Sequence, residues 1–508
     1  MTQKYIEKIL SARVYDVAIE SPLDLAKRLS ARLDNQILLK REDLQPVFSF
    51  KLRGAYNKLY QLNRQTELKG VIAASAGNHA QGLALAASKL GVKATIVMPK
   101  TTPRIKVDAV RSFGAKAVLV GDTFDEASVY AHELAEKEGL AYIHPFDDPD
   151  VIAGQGTIAV EILRQYPEDI DAIFIPVGGG GLIAGMAAFI KYLRPEIKVI
   201  GVEPTDAACL AAALEKKRRV VLDQVGIFAD GVAVKQMGKE TWRIAKDTVD
   251  EVITVSTDEM CAAIKDIFDD TRSIMEPAGA LAVAGIKKYV AREEISGRTL
   301  VAINSGANMN FDRLRHVSER AELGERREGL IGVTIPEEPG SFLRFCRTIG
   351  KRGITEFNYR YADAARAHVF VGVQLQEGKA ELAELTDKLK AKGYPVLCMS
   401  DNEMAKLHVR YMVGGHANHI ANEVLYRFEF PERPGALLDF LAHIGKRWNI
   451  SMFHYRNHGA AYGRVLVGLQ VPKSERRELT GFLDEVGYQW WDESQNPAYQ
   501  MFLGELGA

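Results

Sequence analysis

One lysine near the start of the chain stands in an apolar segment, Pro46-Val47-Phe48-Ser49-Phe50-Lys51-Leu52-Arg53. Apolar neighbours penalise an ammonium group, so they lower the lysine pKa and favour a neutral, nucleophilic amine that can form an imine. The alternative is that Lys51 lies on a half-buried helix and extends its ammonium group into water. By itself the segment favours this second interpretation. Other reactive groups nearby would favour the interpretation of Lys51 as a nucleophilic amine.

A run of glycines, Gly178, Gly179, Gly180 and Gly181, follows the predicted strand Ala172–Val177 and opens the predicted helix Leu182–Tyr192. Successive glycines let the backbone wrap around an anion, and the start of a helix adds a partial positive charge. The run lacks the Gly-Lys-Ser/Thr ending of a nucleotide-binding P-loop. It therefore predicts a cradle for some other phosphate, and the alternative is a flexible turn.

Two further polar loops follow predicted strands. Ser75-Ala76-Gly77-Asn78-His79 offers backbone amides, a hydroxyl group and an amide side chain that can hold a carboxylate. The alternative is that Ser75 and Asn78 only cap a helix. In the second loop, Asn304-Ser305-Gly306-Ala307-Asn308, Ser305 is available as a hydrogen-bond partner.

The elements that must position these loops lie between about Ile37 and Asn310. In this stretch short apolar runs rich in Val and Ile alternate with amphipathic segments of helical period. The pattern predicts an α/β fold with mostly parallel sheets covered by helices. Ligands of such sheets bind beyond the carboxyl ends of the strands, and the loops described above lie there. The predicted strands are Val71–Ala74, Ala94–Pro99, Ala117–Val120, Ala172–Val177, Lys198–Val202 and Thr299–Ile303.

The C-terminal part contains an internal repeat. Pro339-Gly340 and Pro434-Gly435 lie 95 residues apart, and each is followed by a helix-like stretch and then a segment ending in Tyr-Arg. The order of strand, Pro-Gly turn, helix and two strands predicts a duplicated α+β unit with helices on one face of an antiparallel sheet. The predicted domains are residues 1–318, a neck at 319–328, a first repeat at 329–400, a connector at 401–422 and a second repeat at 423–508.

The composition excludes several classes of protein. A net charge of −1 with 26% charged residues gives no electrostatic reason to bind nucleic acid or an anionic membrane. The sequence has no apolar run long enough to cross a bilayer, and the first residues lack the apolar core of a signal peptide. The four cysteines are scattered, which favours neither a disulfide framework nor a zinc site. These features predict a cytoplasmic location.

Taken together, Ser49-Phe50-Lys51, Ser75–Gly82, the glycine run and Ser305–Asn308 resemble the motifs of pyridoxal-phosphate enzymes with the tryptophan-synthase-β fold. Over nearly its full length, the chain resembles the biosynthetic threonine deaminase family. This resemblance implies pyridoxal 5′-phosphate as cofactor. It also implies a two-lobed catalytic domain followed by a tandem of ACT-like, ferredoxin-like domains.

The resemblance also implies roles for the motif residues. Lys51 would carry the cofactor as a Schiff base and act as the catalytic base. Gly178, Gly179, Gly180 and Gly181 would bind the cofactor phosphate, Asn78 its 3′-oxygen and Ser305 its ring nitrogen. The substrate carboxylate would bind the loop formed by Ser75, Ala76, Gly77, Asn78 and His79. The acid spacing after Glu203-Pro204 differs from that of metal-dependent relatives, so we expect no divalent metal there.

The implied activity is that of a carbon–nitrogen lyase, a threonine ammonia-lyase that also accepts L-serine. The implied assembly is a homotetramer, with isoleucine as inhibitor and valine as its antagonist. From repeat position, the candidate effector residues are Tyr359, Tyr455, Leu437 and Leu441, which are alternatively core residues. Three other functional alternatives remain: a serine dehydratase or racemase on the same scaffold, an amino-acid sensor with a vestigial catalytic domain, and repeats that serve only oligomerisation.

Overall fold

The computed structural model describes residues 2–102, 104–362, 364–407, 409–412, 417, 420–431, 436–444, 447–456, 462–486, 488–496, 499 and 503. The chain forms two compact units, Met1–Gly324 and Glu325–Ala508. The division between them falls inside the predicted neck, residues 319–328. Within the described residues no helix combines the length and the apolarity needed to cross a bilayer.

The first unit contains two sheets. Its strands are β1 (Leu23–Leu25), β2 (Gln36–Arg41), β3 (Val71–Ala74), β4 (Ala94–Met98), β5 (Lys116–Leu119), β6 (Ala141–Tyr142), β7 (Ala172–Pro176), β8 (Lys198–Pro204), β9 (Glu251–Val255) and β10 (Thr299–Asn304). One sheet has the order β1-β2-β10-β7-β8-β9, in which only the β1–β2 pair is antiparallel. The other, β5-β4-β3-β6, is parallel throughout.

Helices cover these sheets. They are α1 (Thr2–Leu10), α2 (Lys27–Leu33), α3 (Lys51–Gln65), α4 (Asn78–Leu90), α5 (Arg104–Ser112), α6 (Phe124–Glu138), α7 (Pro149–Gln165), α8 (Gly181–Leu193), α9 (Cys209–Lys216), α10 (Lys239–Thr248), α11 (Thr257–Thr271), α12 (Pro277–Glu293) and α13 (Leu314–Gly324). Every residue of β3 and of β7 is buried, as expected for parallel strands covered on both faces. The predicted α/β class is therefore confirmed.

Four charged side chains with no exposed surface connect α3 to its surroundings. The Arg53 guanidinium lies 2.8 Å from Glu42 and 2.6 Å from Glu161, and Lys40 lies 2.6 Å from the other oxygen of Glu161. The two positive and two negative charges balance. Burial alone raises the pKa of Glu161, but Arg53 and Lys40 bring it below its ordinary value. This buried charge cluster fixes α3 against the turn after β2 and against α7.

Removing the guanidinium should destabilise the first unit strongly. In Arg53→Leu, Glu42 and Glu161 stay buried without their main counter-charge, and losing one partner of a buried ion pair costs about 3–5 kcal/mol. Urea denaturation would measure the change in the free energy of unfolding. Arg13→Leu is the matched control, because Arg13 pairs with Asp16 at the surface, where water screens the pair, and its loss should cost far less. Equal losses in both variants would contradict a special role for the cluster.

The second unit is built on one antiparallel sheet. Its strands are β11 (Glu328–Pro336), β12 (Ile354–Arg360), β13 (Arg366–Gln374), β14 (Val396–Cys398), β15 (Glu423–Pro431), β16 (Asn449–Arg456), β17 (Tyr462–Gln470) and β18 (Gln489–Asp492). Their order is β14-β11-β13-β12-β16-β17-β15-β18, so the second half mirrors the first and β12 joins β16. The helices are α14 (Ser341–Ile349), α15 (Lys379–Ala391), α16 (Glu403–Leu407), α17 (Ala436–Ile444) and α18 (Arg476–Val486).

The predicted duplication is visible in this arrangement. Each half contributes four strands, and the helix after the first strand packs on the sheet. In the first half Gly340 has φ +83° and caps α14, a conformation that favours glycine. The corresponding Pro434-Gly435 lies outside the described residues. One hydrophobic core, which includes Phe342, Phe357 and Phe453, runs through both halves.

Candidate active site

Lys51 begins α3 and lies beside the Ser305 loop. The backbone N–H of Phe50 donates to the carbonyl oxygen of Ser305 at 3.2 Å, and the N–H of Ala307 donates to Phe48 at 2.9 Å. These two bonds join segments that are about 250 residues apart in sequence. Two of the predicted site residues, Lys51 and Ser305, are thus brought together.

The surroundings of Lys51 match the prediction from its apolar neighbours. Burial lowers the pKa of Lys51 to about 8, although the nearby Glu276 carboxyl group opposes the shift. The amine lies 5.2 Å from the centre of the Phe50 ring. Much more of this amine is therefore neutral, and hence nucleophilic, near neutral pH than of an ordinary lysine.

Asn78, the first residue of α4, is held in a defined orientation by two side chains. Asn308 donates to Oδ1 of Asn78 at 2.7 Å, and Nδ2 of Asn78 donates to Glu276 at 2.6 Å. Because Asn308 also donates to the carbonyl oxygen of Val47, its own amide is fixed. The NH₂ group of Asn78 has two hydrogens, so one is left for a ligand.

Glu276 is a site residue that no pattern in the sequence indicated. It precedes Pro277 at the start of α12, where nothing in the local sequence distinguishes it from an ordinary helix start. Its side chain is buried, and burial, followed by the charge of Asp230, raises its pKa to about 7. Glu276 thus gives the site a second group that can gain or lose a proton near neutral pH.

The loop predicted to bind a carboxylate lies between β3 and α4. Ser75, Ala76 and Gly77 are partly exposed, whereas Asn78 and His79 are buried. Burial, followed by the charge of Lys51, lowers the pKa of His79 to about 3. Its Nε2 lies 3.1 Å from the carbonyl oxygen of Ile143, so Nε2 carries the hydrogen. Nδ1 is then an acceptor, and His79 can offer a carboxylate only its backbone N–H.

The glycine run forms the turn between β7 and α8. Gly180 has φ +92°, a conformation that favours glycine, and a Cβ on Gly179 would lie 2.4 Å from the Phe146 ring. The Thr241 hydroxyl donates to the carbonyl oxygen of Gly179 at 2.7 Å. The Cys209 thiol lies 3.4 Å from the carbonyl oxygen of Gly178. In a trans peptide the N–H points opposite to the carbonyl oxygen. The N–H groups of Gly179 and Gly180 therefore face away from α9 and α10.

Thr241 is a second site residue that no pattern in the sequence indicated. It is fully buried in the first turn of α10. Asp147 accepts the N–H groups of Lys239 and Glu240 at 2.8 Å each, which fixes this turn. Thr241 is a positioning residue, since it acts on a ligand only through the Gly179–Gly180 peptide.

A short turn, Asp230–Val232, connects the glycine run to the Asn78 loop. A Cβ on Gly178 would lie 2.9 Å from the Cα atom of Val232, and one on Gly231 would lie 3.9 Å from Nδ2 of Asn78. The structure thus gathers the predicted loops into one site. The amine, the inward N–H groups of the glycine run and the free hydrogen of Asn78 match the aldehyde, phosphate and phenolic oxygen of pyridoxal phosphate.

The Glu203 carboxyl group binds the main chain at the start of α9. Its carboxyl oxygens accept the N–H groups of Leu210 and Ala211 at 2.8 and 2.9 Å, at the start of α9. Burial raises its pKa to about 7. Among the described residues no group of three His, Cys, Asp or Glu side chains is arranged to hold a metal ion. That this enzyme needs no divalent metal stays a prediction.

The candidate effector residues lie in the second unit. The side chains of Tyr359, Tyr455, Leu437 and Leu441 are all buried in its hydrophobic core. The Tyr359 ring lies 4.9 Å from that of Phe342, and its hydroxyl donates to Glu337. Their role in effector binding stays a prediction.

The low pKa of Lys51 predicts how fast the cofactor-free protein takes up pyridoxal phosphate. Because only the neutral amine reacts, the rate should rise with pH through about 8 and then level off. With an ordinary lysine, the rate would keep rising up to about pH 10. Stopped-flow absorbance would follow imine formation. In Glu276→Gln the midpoint should move to lower pH, because the carboxylate charge that favours the ammonium form is gone. A midpoint near 10 would contradict the assignment.

The Thr241 contact predicts an effect on cofactor affinity. Thr241→Val keeps the shape of the side chain but removes the hydroxyl, and one such hydrogen bond is worth about 1 kcal/mol, or roughly fivefold in the dissociation constant. Equilibrium dialysis of pyridoxal phosphate would measure it. Thr241→Ser should bind normally, as should the control Thr248→Val, whose hydroxyl bonds only within α10. Comparable weakening in the control would rule out the proposed role.

Comparison with known proteins supports the cofactor and both units. The family of pyridoxal-phosphate dependent enzymes matches residues 14–306, and the C-terminal regulatory domain of threonine dehydratase matches residues 319–409 and 414–503. The chain is 57% identical over 502 residues to the biosynthetic L-threonine dehydratase IlvA of Burkholderia multivorans, covering 98% of this chain and 99% of the relative. It is 55% identical to the Escherichia coli protein of the same name, covering 98% and 97% of the two chains.

Solved structures agree. The processed form of threonine deaminase isoform 2 from Solanum lycopersicum is 55% identical, with a TM-score of 0.62 over 63% of this chain and 88% of that one. A maize serine racemase is 30% identical, with a TM-score of 0.58 over 62% of this chain and 96% of that one. The full-length identity, together with the two matched regions, shows that the chain belongs to the biosynthetic threonine dehydratase family of pyridoxal-phosphate-dependent lyases.

Proposed function

We propose that this enzyme dehydrates and deaminates L-threonine to 2-oxobutanoate and ammonia, the first committed step of isoleucine biosynthesis. The observation that carries the proposal is the Lys51 amine, whose pKa of about 8 suits imine formation, in one site with Asn78, Ser305 and the glycine run. Two relatives that are 57% and 55% identical to this chain, each aligned over 98% of it, are named biosynthetic L-threonine dehydratases.

The residues of the site have different roles in cofactor binding and proton transfer. The glycine run would hold the phosphate of the cofactor, Asn78 would donate to its ring oxygen, and Ser305 would contact its ring nitrogen. When bound, the cofactor supplies an electron sink for the pair left at the substrate Cα. The Lys51 amine would take the Cα proton of the bound substrate. Lys51 would then give this proton to the β-hydroxyl, which leaves as water. The released enamine hydrolyses to 2-oxobutanoate and ammonia.

The substrate carboxylate binds at the start of α4. The first N–H groups of a helix have no partner within the helix, and the helix dipole favours an anion there. Ser75, Ala76 and Gly77 are partly exposed and therefore accessible to the substrate. His79 is neutral and adds no charge, so orientation of the carboxylate depends on the main chain.

The rival substrate is L-serine, on which a dehydratase or racemase of the same scaffold would act. The maize serine racemase supports this alternative at the level of the fold. Threonine and serine differ by one methyl group, which a pocket distinguishes by about 1–3 kcal/mol. We therefore propose that serine is a secondary substrate. The low pKa of Lys51 argues against an amino-acid sensor with a vestigial catalytic domain.

The second unit supports regulation by amino acids, since residues 319–409 and 414–503 match a regulatory domain. We propose isoleucine as the inhibitor and valine as the antagonist, acting on a homotetramer in the cytoplasm. An effector of this kind must bind two conformations of the protein with different affinity.

One assay tests the reaction and its regulation. The purified full chain should convert L-threonine to 2-oxobutanoate faster than L-serine to pyruvate; isoleucine should lower the threonine rate and valine should restore it. Lys51→Ala should abolish turnover because the base and the imine are lost, whereas Lys93→Ala, at an exposed site, should not. Faster turnover of serine would overturn the substrate assignment. Insensitivity to isoleucine would overturn only the regulatory one.

A further inference from the structure

The connection between β6 and α7 turns around one imidazole ring. His144 Nδ1 accepts the backbone N–H of Asp147 at 2.8 Å and that of Phe146 at 3.3 Å. A ring nitrogen that accepts a hydrogen bond carries no hydrogen itself, so His144 is neutral and has its proton on Nε2. The shape of this turn therefore depends on a side chain that can also become charged.

The first residue held by His144 packs on the glycine run. The Phe146 ring is perpendicular to the imidazole, and the two ring centres are 4.7 Å apart. A Cβ atom on Gly179 would lie 2.4 Å from the Phe146 ring, and one on Gly181 would lie 3.0 Å from the Cβ atom of Phe146. Phe146 thus contacts the glycine backbone directly, and a shift of Phe146 would leave this backbone without support.

The second residue held by His144 reaches the same glycine run through α10. The Asp147 carboxylate accepts the N–H groups of Lys239 and Glu240 at 2.8 Å and that of Thr241 at 3.3 Å. The Thr241 hydroxyl in turn donates to the carbonyl oxygen of Gly179 at 2.7 Å. Two separate routes therefore lead from the His144 ring nitrogen to Gly179.

We infer that His144 is a positioning residue for the cofactor phosphate, because as a neutral imidazole it holds both contacts that orient the glycine run. The inference rests on the proposed binding of that phosphate by Gly178–Gly181. His144 acts through Phe146 and Asp147, and it lies outside every motif from which the site was predicted.

The imidazole can hold this turn only while it is neutral. Protonation would place a hydrogen on Nδ1, opposite the N–H groups of Phe146 and Asp147, and both bonds would be lost. Burial lowers the pKa of His144 below its ordinary value of 6.5, against the opposing charges of Asp147 and Asp148. The ionisable groups that face the ring from the turn, α6, α3, α4 and β6 are Asp147, Asp148, His132, Lys51, His79 and Tyr142. The turn should therefore be intact above about pH 6.5 and loosen as the pH falls below it.

Equilibrium dialysis of the full-length, cofactor-free chain tests the inference with two probes, pyridoxal phosphate and pyridoxal, which has no phosphate. His144→Phe keeps a ring but removes the acceptor. At mildly alkaline pH this variant should bind pyridoxal phosphate about fivefold more weakly, the effect of losing one such hydrogen bond. Pyridoxal should bind the variant and the unmodified chain equally, because it has no group for the glycine run.

His144→Asn is the rescuing variant. The side-chain oxygen of Asn can accept N–H groups of the residues that follow it, as in an Asx turn, but it does not titrate. At mildly alkaline pH it should bind pyridoxal phosphate like the unmodified chain. Below about pH 6.5 the unmodified chain should lose affinity relative to His144→Asn. The ionisation of Lys51 and of the cofactor phosphate is common to both proteins and cancels in this ratio.

His132→Phe is the matched control. The His132 ring stacks on Tyr142 with centres 4.0 Å apart, in the same row of rings as His144. At mildly alkaline pH this control should bind both probes like the unmodified chain, and thermal unfolding would verify that every variant is folded.

A further variant separates this inference from the proposed site. Gly179→Ala places a Cβ against the Phe146 ring and should weaken pyridoxal phosphate binding about fivefold or more. If Gly179→Ala weakens binding and His144→Phe does not, the role of His144 is overturned and the phosphate site stands. If neither weakens binding, both are overturned.

Three other results would also overturn the role of His144. They are equal weakening in His144→Phe and His144→Asn, equal weakening for the two probes, and comparable weakening in His132→Phe. If His144→Phe does not fold, the comparison of the unmodified chain with His144→Asn still decides. A ratio of their affinities that stays constant on acidification would overturn the inference, and a ratio that changes below about pH 6.5 supports it.

Discussion

The buried charge cluster of Arg53, Lys40, Glu42 and Glu161 is the constraint on which the catalytic unit depends. None of the four side chains reaches solvent, so none can leave without stranding a charge in the interior. Arg53 lies two residues after Lys51 on the same helix. The reactive amine is therefore held by a balanced set of charges that fixes α3 against β2 and α7.

The rest of the site is positioned by groups that do not themselves contact a ligand. Thr241 binds the carbonyl oxygen of Gly179, so the N–H of Gly180 points away from α10. Asn308 orients the amide of Asn78. Glu276 takes one hydrogen of that amide, and its charge acts on Lys51, so two groups with pKa values of about 7 and 8 influence each other in one site. Such arrangements give a flexible cofactor few orientations to adopt.

The duplicated unit shows how two copies of one fold come to differ. Thr355 donates to Glu328 in the first copy, and Ser451 donates to Glu423 in the second, at corresponding positions. The arginine that joins each pair has a different origin, however: Arg410 comes from the connector, and Arg360 comes from β12. The connector thus completes the polar cluster of the first copy with an arginine from outside the repeat.

The sequence by itself determined the parts that depend on neighbours along the chain. Strand periods, the glycine run after β7 and the repeat of Pro-Gly turns are local patterns, and they sufficed for the fold class. The roles of Lys51, Asn78 and Ser305 came from the family resemblance and stay predictions. Only the tertiary structure revealed Glu276, which meets Asn78 across 198 residues, and Thr241, whose partner is a main-chain oxygen of another loop. It also placed Tyr359 in the core, because the face to which a strand residue points depends on register and packing. Contacts between distant segments leave no local period, and buried charges such as Arg53 look like ordinary helix residues until their partners are in place.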